Sequence, residues 1–94
     1  MAKIEAELYG NFDIILTDLH NTVMRGSTSA SLEESSDIVA GSTRCAIRAY
    51  ERYSYLGSGR VSMNVTLFQT EGRIFVSVTS TGGSQAVFFK INRI

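Results

Sequence analysis

The chain has 94 residues, 44% of them apolar, with nine acidic and nine basic side chains, one cysteine, and neither proline nor tryptophan. That length supports one small domain, and that apolar fraction excludes a disordered tail, which combines low hydrophobicity with high net charge. A formal net charge of zero removes the overall basic excess with which proteins engage nucleic acids and anionic membranes, so only local patches remain to be weighed.

Residues 3–9 alternate, with Ile4, Ala6 and Leu8 on one side and Lys3, Glu5, Glu7 and Tyr9 on the other, the pattern of a half-buried strand. From Phe12 the period changes. At ~100° per residue, Phe12, Ile15, Leu16, Leu19 and Val23 gather on one face, and Asp13, Thr17, Asp18, Asn21 and Arg25 take the rest, which predicts an amphipathic helix. Asn11 suits the N-cap, Asp13 lies in the first turn where the helix dipole favours an acid, and Gly26 is read as a left-handed stop.

Almost everything after Gly26 reads as strand. Residues 27–34 are polar and alternating with Ala30 and Leu32 inward; Ile38 and Ala40 continue the same phase, and Ser35-Ser36-Asp37 predicts a break or bulge. Gly41-Ser42 marks a turn, residues 44–55 alternate, and Leu56-Gly57-Ser58-Gly59 turns the chain into residues 60–69. Glu71-Gly72 is a second tight turn leading into residues 73–80, where Ile74, Val76 and Val78 share a face. Gly82-Gly83 then sets off a final apolar stretch at 86–91. The expected fold is α+β: one N-terminal helix packed on a curled antiparallel sheet of five to six strands, in the order β-α-β-β-β-β-β, within a single domain spanning residues 1–94. A helix of about 14 residues spans only ~21 Å and is a thin cover for so broad a sheet, which predicts sheet curvature, a second subunit or a further segment as the rest of the shield.

The compartment follows from what the first residues lack. No basic start leads into an apolar stretch of secretory length, and Ile14-Ile15-Leu16 falls far short of the ~20 apolar residues of a membrane span. With Cys45 as the lone cysteine, no disulfide within the chain can form, and a soluble, cytoplasmic protein without membrane contact is expected. Asn64-Val65-Thr66 spells a glycosylation acceptor, but it lies inside a strand pattern and carries no weight.

Four segments carry a resemblance: Arg44-Cys45-Ala46, Tyr50-Glu51-Arg52-Tyr53-Ser54-Tyr55, Val65-Thr66-Leu67-Phe68-Gln69 and Gly82-Gly83-Ser84-Gln85-Ala86-Val87-Phe88-Phe89-Lys90. In these the chain resembles a family of small uncharacterised bacterial proteins, a domain of unknown function, over about its C-terminal half. The resemblance implies a fold and no catalytic residues. It also implies a helix after the Phe-Phe-Lys strand, for which the residues up to Ile94 leave no room, so a form lacking that C-terminal helix is one expectation.

The candidate site residues come from the alternation of residues 44–55. Cys45, Ile47, Ala49, Glu51, Tyr53 and Tyr55 point one way and begin as core; Glu51 breaks the row, and a carboxylate on an apolar face must be paired, hydrogen-bonded or protonated. One reading makes Glu51, Tyr53 and Tyr55 the end of the sheet beyond the core edge. The other makes them a ligand-binding mouth for a cationic or hydroxylated small molecule, in a pocket between helix and sheet. Arg44, Arg48, Tyr50 and Arg52 point the opposite way and, with Phe68 and Phe75 from neighbouring strands, form an arginine and aromatic face. Such a face can stack bases and neutralise phosphates, but Glu5, Glu7, Glu33 and Glu34 are at hand to pair with the arginines, so a solvated face or subunit interface is preferred over nucleic acid. His20 lies beside the apolar stripe with no converging ligand, and Cys45 stands in core phase, where a thiol behaves as a small hydrophobe. Gly57-Ser58-Gly59 and Gly82-Gly83-Ser84 precede no helix and read as turns, the second doubling as a possible backbone anion nest. No common catalytic or metal signature occurs, so no catalytic residue, metal or cofactor is expected. The preferred function is a non-enzymatic, self-associating interaction module acting through sheet surface or strand edge. The alternatives are a small-molecule binding domain near Glu51 and an enzyme of unrecognised type.

Overall fold

A computed structural model describes residues 2–53 and 59–81 of the chain. Its elements are β1 (Ala2–Leu8), α1 (Phe12–Arg25), β2 (Ser31–Ala40), β3 (Thr43–Tyr53), β4 (Arg60–Thr70) and β5 (Arg73–Ser80). The strand read at 86–91, the glycines at 82–83 and the turn at 56–58 lie outside the described residues. Local chemistry accounts for the boundaries of α1. The Asn11 carboxamide oxygen accepts from the Ile14 N–H at 3.0 Å, Asp13 occupies the first turn, and Arg25 the last. Gly26 does not take the left-handed conformation expected of it: at φ −70° it stays right-handed, and its N–H donates to the Val23 carbonyl at 3.0 Å, tightening the last turn.

The strands form one open sheet in the order β1-β5-β4-β3-β2, every neighbouring pair antiparallel. β2 to β5 run as a meander because each connection is short. β1 pairs with β5 at the far edge because α1 carries the chain across the sheet between β1 and β2. At the β4–β5 turn both central residues, Glu71 (φ 53°) and Gly72 (φ 73°), are left-handed, the geometry that follows the twist of the flanking strands.

The core lies between α1 and one face of the sheet. Phe12, Ile15, Leu19 and Val23 meet Ala46 and Tyr50 of β3, Met63, Val65 and Leu67 of β4, and Ile74, Val76 and Val78 of β5, with Ile4, Ala6 and Leu8 of β1 packed beside them. The registers Arg48↔Val65, Val65↔Val78 and Ile4↔Val78 place these residues in rows across four strands. α1 runs along β3, from Arg44 beside Phe12 and Asp13 to Tyr50 beside His20.

Two expectations about rows are corrected by this register. The Arg44, Arg48, Tyr50 and Arg52 row faces the helix, with Ala46 and Tyr50 in the core, while the Cys45, Ile47 and Ala49 row lies half-buried on the open face. Phe68 and Phe75 also lie on the open face, paired with Cys45 and with each other, so the single arginine and aromatic surface divides between opposite sides of the sheet. The reason is non-local. β4 and β5 carry their aliphatic residues at positions that register with Ala46 and Tyr50, and burying those two strands decides the side on which β3 faces the helix. The arginines tolerate that side by carrying their charge out to carboxylates at the sheet margin.

β2 departs from its predicted phase as well. Its register shifts between Leu32 and Glu34, so the bulge sits at Glu33, ahead of the expected break at 35–37. Leu32 therefore faces the helix side with Tyr50, whereas Ile38 and Ala40 pair with Cys45 and Thr43 on the open face. One inserted residue reverses the sides of everything beyond it.

Candidate functional site

The Glu51 end of the sheet is a charged cluster. Glu51 is on the open face opposite Ser62, and its carboxylate accepts from Arg60 Nη1 at 2.8 Å. The Arg60 guanidinium also lies 5.5 Å from the centre of the Tyr53 ring and donates to the Tyr53 hydroxyl at 3.4 Å. The structure thus brings Glu51 and Tyr53 together and pairs the carboxylate that sequence left without a partner; Tyr55 lies outside the described residues. Among the described residues, the spaces at this end are small. A gap of about 20 Å³ remains under the helix terminus between Val23, Ala30, Tyr50, Val61 and Met63, and one of about 60 Å³ beside Ser29, Ser31, Glu33, Glu51 and Arg60. These volumes admit water, against the ~300 Å³ or more of a small-molecule site.

On the helix face, Arg44 forks onto Asp13 with bonds of 3.2 and 2.9 Å and lies 4.1 Å from the centre of the Phe12 ring. Arg48, its side chain 15% exposed, donates to Asp37 at 3.0 Å and to the Ile47 carbonyl at 3.0 Å. Asp13 and Asp37 were not among the carboxylates anticipated as partners. Of Glu5, Glu7, Glu33 and Glu34, Glu7 is held by Arg73 of the open face, through bonds of 3.0 and 2.9 Å. The hydrogen bonds from Arg44 and Arg73 hold the Asp13 and Glu7 carboxyls below their ordinary range. The Tyr50 hydroxyl, buried in the core, bonds to His20 Nδ1 at 2.9 Å, and burial pushes its pKa up. His20 is therefore a core-edge partner. Its only sequence signal is its place beside the apolar stripe of α1, one turn after Leu16.

Among the described residues, three surfaces stand out. A shallow groove of about 410 Å³ crosses the open face over Glu5, Glu7, Thr66, Phe68, Phe75 and Ser77. A second, of about 350 Å³, runs between α1 and β2, walled by Leu16, Thr17, His20, Leu32, Ser35 and Arg48. The third is β2 itself, which ends the sheet and is exposed from Leu32 to Ala40 on both faces. Leu32, Ile38 and Val39 are 39%, 56% and 66% exposed, the largest concentration of exposed aliphatic side chains on any element. Sequence reasoning gave β2 no special place because its polar residues read as an ordinary solvated strand. On the open face Ile38 is the end of an apolar row, Phe75–Phe68–Cys45–Ile38, that crosses four strands. Among the described residues, no three His, Cys, Asp or Glu side chains come together in a metal-binding group. No helix among them is long and apolar enough to cross a membrane.

Among the described residues, one helix on one face of an open antiparallel sheet defines a small two-layer α+β module in which β2 is an edge strand. The chain belongs to DUF6054, a family of unknown function whose model matches residues 1–94, so the kinship first read in the C-terminal half extends over the whole sequence. No curated protein matches it.

Proposed function

We propose that this chain is a non-enzymatic interaction module that associates with itself through the β2 side of its sheet. The observation that carries the reading is the exposure of β2 on both faces and along its free edge, with Ile38 and Val39 more than half exposed. Edge strands offer unpaired N–H and C=O groups, and apolar side chains beside them add area to any strand that docks. Among the described residues, the charged and buried polar groups singled out above pair with one another: Glu51 with Arg60, Asp37 of β2 with Arg48, Asp13 with Arg44 and Tyr50 with His20. These pairings and the exposed strand edge support sheet pairing as the chemistry of the module, and favour a protein partner over nucleic acid or a small molecule.

Sedimentation equilibrium at micromolar concentration tests this. The expected mass is twice the 10.3 kDa of the chain. Ile38→Lys, which places a charge beside the free edge, is expected to return it to monomer while leaving its circular dichroism unchanged. A wild-type monomer overturns the reading.

A further inference from the structure

We infer that two copies pair antiparallel through residues 36–40 of β2, with Ile38 on the twofold axis, to join their described five-stranded sheets into one continuous sheet carrying both helices on the same side. This rests on the self-association proposed above and specifies its geometry.

The backbone sets the first condition. Ala40 and Thr43 flank the two-residue Gly41-Ser42 turn and form the hydrogen-bonded pair that closes such a hairpin, and hydrogen-bonded and open pairs alternate from there. Ala40, Ile38 and Ser36 therefore direct their peptide groups to β3. Val39 and Asp37 direct theirs to the free edge. An antiparallel second copy uses these outward groups when Asp37 lies opposite the partner's Val39 and Val39 opposite the partner's Asp37, giving four backbone hydrogen bonds about Ile38.

Side chains choose between registers. A twofold axis normal to the sheet keeps each face on its own side, so opposed residues must share a face. Centring on Asp37 sets two carboxylates directly opposite each other, which is destabilising. Centring on Ser36 sets Glu34 against Ile38 and draws the irregularity between Leu32 and Glu34 into the ladder. Centring on Ile38 avoids both. It sets Ile38 against Ile38, Ser36 against Ala40, and Asp37 against Val39, with Asp37 already neutralised by Arg48 at 3.0 Å.

The same register makes the open face self-complementary. The row Phe75–Phe68–Cys45–Ile38 of one copy continues into Ile38–Cys45–Phe68–Phe75 of the other, and the most exposed residue of the row becomes its middle. On the helix side, the groove between α1 and β2 gains the second copy as its outer boundary. The register shift between Leu32 and Glu34 confines pairing to the regular half of the strand, because a bulge interrupts the ladder there.

Cross-linking reads the register directly. The two Ile38 positions form an open pair, whose Cβ atoms lie ~4.5–5.5 Å apart, within reach of a disulfide after small adjustment. Ile38→Cys is made with Cys45→Ser, since Cys45 is the cross-strand neighbour of Ile38 and would compete as a thiol. Oxidised glutathione takes up the two electrons as the two thiols lose their protons and form the S–S bond. The expected result is near-complete conversion to a covalent dimer on a non-reducing gel. Ala40→Cys in the same background stays monomeric there, but cross-links when mixed with Ser36→Cys. Sedimentation of the Cys45→Ser parent separates the two claims. A dimeric parent whose Ile38→Cys form cross-links no better than its Ala40→Cys form overturns this register and leaves self-association standing. A monomeric parent overturns both.

Discussion

Tyr50 is the residue on which the helix face turns. Its ring occupies the core at 3% exposure, yet its hydroxyl has a partner because His20 reaches it from the last half of α1. A buried hydroxyl without a partner costs more than the bond contributes, so the two positions act together. Tyr50→Phe removes both the bond and the hydroxyl, leaving the half-buried His20 Nδ1 without its partner. The expected loss is about 1 kcal/mol in a urea melt, with an unchanged slope. An unaltered midpoint would show that water replaces the hydroxyl at no cost. Arg44 and Arg48 illustrate a second residue-scale device. Each lies along the helix face of β3 and delivers its guanidinium to a carboxylate at the margin, so neither charge is buried without a partner. Glu51 follows the same rule on the other face through Arg60.

At the scale of elements, two forked ion pairs tie the periphery to the sheet: Asp13–Arg44 joins the first turn of α1 to β3, and Glu7–Arg73 joins β1 to β5. Both carboxyls lie below their ordinary values of 3.8 and 4.5, chiefly because an arginine donates hydrogen bonds to them. A depressed native pKa means that the unfolded chain takes up protons first as the solution is acidified. The stabilisation is complete above those ordinary values and is lost as pH falls through the lower native ones. The urea midpoint is therefore expected to drop below about pH 4.5, and to drop less in the Glu7→Gln, Asp13→Asn double variant, measured at half-unit pH intervals. Equal slopes in the two proteins would assign the acid sensitivity to other groups. Both pairs are exposed and weaken with added salt. β2 differs from the other strands in two ways: among the described residues it is an edge exposed on both faces, and its bulge reverses which side chains reach the helix side.

For the whole molecule, charge decides which partners are excluded and area decides which are allowed. Nine basic and nine acidic residues cancel, and the arginines of β3 do not form a basic platform, since Arg44 and Arg48 are held by carboxylates on the helix side. The chain is therefore expected to show no measurable affinity for single-stranded RNA at physiological salt. Tight binding with a steep salt dependence, lost in Arg44→Ala, Arg48→Ala, Arg52→Ala, would contradict this. Docking of extended strands needs no charge excess. A free edge flanked by Leu32, Ile38 and Val39 supplies backbone bonds and apolar contact together.

Across the described residues, the sequence by itself determined the elements and, outside the bulged β2, the two rows on each strand. Helix and strand differ in period, so Phe12, Ile15, Leu19 and Val23 declare α1 and the alternations declare the strands. Asn11 and the Glu71-Gly72 pair mark a cap and a turn through local backbone needs. The compensation of charge was legible in composition, and the family in short motifs. Only the tertiary structure decided which row of β3, and of β2 beyond its bulge, faces the helix. Alternation is symmetric between faces, and Cys45, Ile47 and Ala49 look more apolar than Arg44, Arg48 and Tyr50 until β4 and β5 set the register. The contacts that make the second row acceptable come from far along the chain: Asp13 is 31 residues from Arg44, and His20 is 30 from Tyr50. The exposure of β2 is of the same kind, because an edge is a property of sheet order, and sheet order follows from the path that α1 imposes on β1.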